Sequence, residues 1–128
     1  MVVRILRLGS PRVPGEGTRI GTVRRPPRGV PKAQFAKQNW YDVWFPNLAP
    51  SPATMQQGLA VETDAQWKAY ARKYHAEMAA PAAKHDLALL AALSHVADFS
   101  VGCYCENENR CHRSLLRKLL VEKGAKVE

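Results

Sequence analysis

Apolar and polar positions alternate weakly from Val2 to Leu8, which predicts an opening β-strand. Prolines and glycines between Gly9 and Gly17 break that pattern into a loop. Thr18 to Val23 predicts a second strand, which runs into Arg24-Arg25-Pro26-Pro27-Arg28-Gly29-Val30-Pro31. Pro26, Pro27 and Pro31 rule out helix there and force an extended or turning path. Pro31 to Asn39 predicts a short helix. Trp40 to Phe45, rich in aromatic and branched residues, predicts a buried strand that ends in the run from Pro46 to Pro52.

A longer period follows. Thr63-Asp64-Ala65-Gln66 is a capping box. After it Trp67, Tyr70, Ala71, Tyr74 and Met78 fall on one helical face, and Lys68, Arg72, Lys73 and Glu77 on the other. Pro81 suits the first turn of a second helix, with Leu87, Leu90, Ala91 and Ser94 on one face and an end near His95. Asp98 to Cys105 is the clearest strand: Phe99, Val101, Cys103 and Cys105 share one face, and Ser100, Gly102 and Tyr104 the other. A polar loop from Glu106 leads to Asn109, an N-cap candidate. Leu115, Leu116, Leu119 and Leu120 then give an amphipathic helix that Gly124 stops. Short strands between long helices predict an α/β class: one domain over residues 1–128, with a small Rossmann-like layered sheet flanked by helices. In such folds ligands sit beyond the carboxyl ends of the strands.

A chain of 128 residues, 46% hydrophobic, can bury a real core. No apolar run is long enough to cross a bilayer, and charges interrupt the first apolar stretch, so the expected location is cytoplasmic. Charge changes the picture more. Residues 1–40 hold nine Lys and Arg against the single acid Glu16, which accounts for the whole net charge of +8. Most are Arg, the residue suited to bidentate capture of phosphate or carboxylate. A solvated basic surface is the plainer alternative.

All three cysteines, Cys103, Cys105 and Cys111, fall within nine residues, and His112-Arg113-Ser114 follows directly. An odd number of cysteines argues against a closed disulfide framework. Three chemistries fit the run. In the first, the helix start with Arg110, Arg113 and Ser114, joined by Arg24, Arg25 and Arg28, holds an anion. In the second, Cys111 or Cys105 is a nucleophile, with His112 as its base or orienter. In the third, Cys103, Cys105, Cys111 and His112 hold zinc. A regular strand would set Cys103 and Cys105 roughly 6–7 Å apart, so the third requires local bending and is not favoured. The four residues between Cys105 and Arg110 resemble the spacing of a rhodanese-type loop, although this loop lacks Gly and carries Glu106 and Glu108. Packing explains Cys103 more simply than chemistry does. The expected partner is a phosphate-bearing small molecule or a nucleic acid; the oligomeric state is left open.

Four stretches of the chain resemble a known family. Gly17 to Val30 matches a family pattern of Gly, Arg, a branched pair and then Asp-Arg-Leu-Trp-Pro-Arg-Gly. Arg25, Pro27, Arg28 and Gly29 fit it, whereas Arg24 replaces the acid and Pro26 the Trp. Ala49-Pro50-Ser51, the helix from Trp67 through Tyr74 to Glu77-Met78, and the Cys111-His112-Arg113 helix start match as well. The sequence thus resembles the YeaO-like family, domain of unknown function 488. The resemblance implies a small α/β fold with the Arg-rich loop close to the Cys-His-Arg turn, and it implies no particular activity. Arg24 in the acid's place makes this chain more anion-seeking.

Overall fold

A computed structural model describes residues 1–128. Its elements are β1 (Val3–Arg7), β2 (Thr18–Gly21), β3 (Val43–Trp44), α1 (Pro52–Leu59), α2 (Asp64–Met78), α3 (Pro81–Leu93), β4 (Phe99–Cys103) and α4 (His112–Glu122). The strands form one sheet in the order β1-β4-β2-β3, and every pairing is parallel. This is the α/β single domain that the alternation of periods predicts. All carboxyl ends of a parallel sheet lie on one edge, so Arg7, Gly21 and Cys103 mark the same rim.

The two faces of the sheet are built differently. Val3, Ile20, Phe99 and Val101 pack with Tyr70, Tyr74 and Met78 of α2, Leu87 and Leu90 of α3, and Leu115, Leu116 and Leu120 of α4 in one apolar core. The alternate positions Arg19 and Ser100 are paired in register and are wholly buried. Arg19 meets Glu16 at 2.8 Å and donates to the carbonyls of Ser10 and Asn39. Ser100 also donates to Glu16, at 3.2 Å. A charged pair therefore pins the Gly9–Gly17 loop across the sheet. Gly17 allows the loop to come so close: its φ is +76°, and a Cβ there would lie 1.9 Å from the Asp98 carbonyl oxygen.

Four expectations need correction. Trp40 to Phe45 is not a buried strand: only Val43 and Trp44 pair, on the sheet's edge, and both are exposed, while Tyr41 takes the buried place. Pro31 to Asn39 holds one 3-10 turn, Lys32–Gln34, and Asn39 at a φ of 64° turns the chain back. One helix, α1, goes unannounced in the sequence pattern. Ser51 caps α1 by accepting from the Thr54 amide, and Pro52 sits in the first turn where its missing N–H costs nothing. Glu77 is not simply on the solvent face of α2. It accepts from the Ser51 amide at 2.8 Å and from the Ser51 and Thr54 hydroxyls at 2.6 Å, locking α1 to α2. The last strand ends at Cys103, two residues earlier than expected, which takes Cys105 off the sheet. The Thr63–Gln66 capping box, α3, α4 and the positive-φ stop at Gly124 stand as expected.

Candidate functional site

The chain leaves the sheet at Cys103 and re-enters regular structure at His112. Between them Asn107 accepts from the Asn109 amide and sets a 3-10 turn, Glu108–Arg110, so Asn109 is not the cap of α4. Cys111 holds that position, in extended conformation. Arg117 closes the loop from behind with two 3.0 Å bonds to the Glu108 carboxylate. Strand end and helix start thus face each other, with Cys103 and Cys111 buried and Cys105 exposed on the loop between them.

This junction forms part of the wall of a cavity of about 1050 Å³ at the carboxyl edge of the sheet. Arg24, Arg25 and Arg28 line it opposite Cys103, Cys105, Arg110, Cys111 and His112. A direct link joins the two stretches: the Tyr104 hydroxyl donates to the Arg25 carbonyl at 2.9 Å. Among the lining residues are five arginines (Arg7, Arg24, Arg25, Arg28, Arg110) and no Asp or Glu. They differ in freedom. Arg24 donates to the Ala49 and Pro50 carbonyls. Arg7 reaches the Tyr104 carbonyl, and Arg110 pairs with Asp64 at 2.6 Å while lying over the Trp67 ring. The Arg25 and Arg28 guanidiniums are exposed and have no side-chain partner. Pro26 and the buried Pro27 stiffen the segment that carries them.

His112 is buried, and its Nε2 lies 2.7 Å from the Thr22 carbonyl oxygen. A carbonyl only accepts, so Nε2 carries the proton and the Nδ1 lone pair faces Cys111 Sγ at 3.6 Å. Burial lowers the imidazole's pKa to about 4, against the raising effect of the Thr22 bond, so the ring is neutral at pH 7. Burial raises the Cys103 thiol. Cys105 is lowered, first by its neighbouring thiols Cys103 and Cys111, against its partial burial, and also by the Arg113 charge. Cys111 is raised to about 11: the neighbouring Cys103 thiol lowers it, but the Cys105 thiol and burial prevail. Cys103, Cys111 and His112 bring their ligand atoms within 4.8 Å of one another, so this buried group can hold a metal ion. Cys105, fourth donor of the predicted set, stands outside the group.

Two expected anion ligands are not among the residues lining the cavity. Arg113 is buried and donates to the Cys105 carbonyl, while the Ser114 hydroxyl donates to the Cys111 carbonyl at 3.0 Å. Both shape the turn instead of lining the cavity. Local sequence does not mark every wall residue. Arg7 stands out only as net charge, although its place at the end of β1 signals the carboxyl rim. Trp40 and Tyr104 carry strand-like patterns, and the Trp40–Phe45 aromatics suit core before base stacking. In the fold Trp40 and Tyr104 meet edge to face at 5.8 Å and form one wall, with Met55, Leu59 and Tyr70 also lining the cavity.

Fold and site together define a small parallel α/β domain with a cysteine, histidine and arginine cavity on its carboxyl rim. The chain belongs to the DUF488-N3a family, described as the active DUF488-N3 subclade, whose model matches residues 3–124. No curated protein and no solved structure matches it. No helix is long and apolar enough to cross a membrane.

Proposed function

We propose that the cavity binds a phosphate-bearing ligand, a nucleotide or the end of a nucleic-acid strand, and brings it to the thiol of Cys105 in a thiol-dependent reaction. One observation carries this reading: five guanidiniums and no carboxylate line a cavity that also exposes a cysteine. Arg25 and Arg28 are the unpaired cations and take the phosphate. Trp40 and Tyr104 offer aromatic faces for a base. Neutral His112 orients the sulfurs through Cys111. The description of the subclade as active agrees with an enzyme. The soft donors Cys103, Cys111 and His112, with no carboxylate near, suit zinc among divalent ions.

Alkylation tests the reading. Iodoacetamide is expected to label Cys105 ahead of the buried Cys103 and Cys111, and a nucleoside monophosphate is expected to slow that labelling. Labelling of Cys105 at the same rate with and without the nucleotide would remove the shared site. A non-catalytic nucleic-acid-binding module is the second reading, favoured by the same unpaired Arg25 and Arg28. It predicts salt-sensitive binding of a single-stranded oligonucleotide that a Cys105→Ser variant retains in full.

A further inference from the structure

We propose that Cys103, Cys111 and His112 form a three-ligand zinc site whose fourth position opens into the arginine-lined cavity, with Cys105 beside the ion and not among its ligands. The first argument is distance. Zn–S and Zn–N bonds of about 2.3 and 2.0–2.1 Å put neighbouring ligand atoms of a tetrahedron about 3.6 Å apart. Cys111 Sγ and His112 Nδ1 are 3.6 Å apart, and the Cys103 sulfur joins them within 4.8 Å. A bound ion requires only a small further closure of that sulfur.

The second argument is the outer contact of the imidazole. Metal-bound histidines almost always donate their other ring N–H to a carbonyl or carboxylate, which fixes the ring and its tautomer. Here Nε2–H is already held by the Thr22 carbonyl at 2.7 Å, and the Thr22 hydroxyl is itself tied to Gly102. The free lone pair therefore points at the sulfurs and not at the backbone. The three ligands come from a strand end and a helix start within one buried junction, so little chain entropy is lost on binding.

The third argument concerns the open position. All three ligands line the cavity, and the remaining wall carries no carboxylate. Cys105 is exposed and lies outside the close group. Three protein ligands with an exchangeable fourth is the pattern of catalytic zinc, whereas structural zinc is closed by four. An oxygen of water or of the bound phosphate takes the fourth place.

This inference shares its cavity with the anion reading but does not depend on the arginines. The experiment is elemental analysis of the full chain purified from zinc-supplemented medium, followed by cobalt(II) exchange. Stoichiometric zinc is expected, and the cobalt form should show the visible bands of a four-coordinate ion with sulfur-to-cobalt charge transfer. Cys105→Ser should keep both signals, and Cys111→Ser should lose them while far-ultraviolet circular dichroism reports that the chain stays folded. Should Cys111→Ser unfold, the charge-transfer intensity of the wild-type cobalt form still reports on thiolate ligation. Wild-type protein without stoichiometric metal overturns the site, and loss of metal in Cys105→Ser overturns the open position. Inorganic phosphate binding to the metal-stripped chain is measured in parallel. Its absence tells against the anion reading alone.

Discussion

Arg12 and Arg19 are locked into the structure, whereas Arg25 and Arg28, from the same basic third of the chain, are free at the cavity. Arg19 is wholly buried against Glu16, and Arg12 grips both oxygens of Asp42 at 2.8 and 2.9 Å. Asp42 in turn accepts from the Arg19 amide at 2.8 Å, so the two pairs form one knot that ties the loop after β1 to the segment before β3. Arg25 and Arg28 face solvent with no carboxylate in reach. The contrast teaches that net charge does not measure binding capacity. Four of the charges counted in the basic third (Arg4, Arg7, Arg12 and Arg19) reach carboxylates, three of them drawn from beyond residue 40, while the two left unpaired flank Pro26 and Pro27.

Breaking the knot is expected to have the largest effect. Arg19→Ala removes the ion-pair partner of buried Glu16 and leaves it only the Ser100 hydroxyl, which costs about 3–5 kcal/mol of folding free energy in urea denaturation. Gly17→Ala comes next: the positive φ and the clash with the Asp98 carbonyl predict a loss of about 1–3 kcal/mol by the same measurement. Arg25→Ala with Arg28→Ala should behave in the opposite way. Stability should change by less than about 0.5 kcal/mol, while Kd for a nucleoside monophosphate rises by about tenfold or more. A smaller effect is expected from Ser51→Ala, which removes the cap of α1 and one donor to Glu77, at about 1 kcal/mol.

The knot also predicts a pH dependence. Burial raises the Asp42 carboxyl, but the Arg12 hydrogen bonds and the Arg19 amide outweigh it and leave its pKa below the ordinary 3.8. Glu77 is lowered in the same sense from 4.5: burial is outweighed by the Ser51 and Thr54 bonds. A carboxyl whose folded pKa is depressed contributes stability above its unfolded value and loses it as pH falls through the folded one. Stability should therefore decline on acidification below about pH 4.5, and less steeply in Asp42→Asn than in the parent chain. An equal slope in the two chains would remove Asp42 from the account.

How far the sequence reached depended on the physics behind each signal. Local signals were readable. The capping box at Thr63, the helical stripe to Met78 and the period of two through Phe99 and Val101 each act within a few residues. The carboxyl rim followed from the α/β class, and the convergence of the Arg-rich loop with the cysteine run followed from the family resemblance. Signals set by tertiary context were not readable. Arg19 looks like any surface arginine until strand pairing sets Ser100 beside it and the loop folds Glu16 back onto both. Trp44 looks like core, yet it lies on an edge strand and spends its indole N–H on the Val23 carbonyl at 2.8 Å. Within the site, Arg113 and Ser114 read as anion ligands because they sit at a helix start; in the fold they also donate to the carbonyls of Cys105 and Cys111, which no local signal shows.

Titration of a nucleoside monophosphate into the parent chain, into Arg25→Ala/Arg28→Ala and into Arg4→Ala, whose guanidinium is paired with Glu128 away from the cavity, tests the central claim most directly. Binding that weakens with added salt, is lost in the double variant and is retained in Arg4→Ala is the predicted result. Equal affinity in all three chains would contradict it.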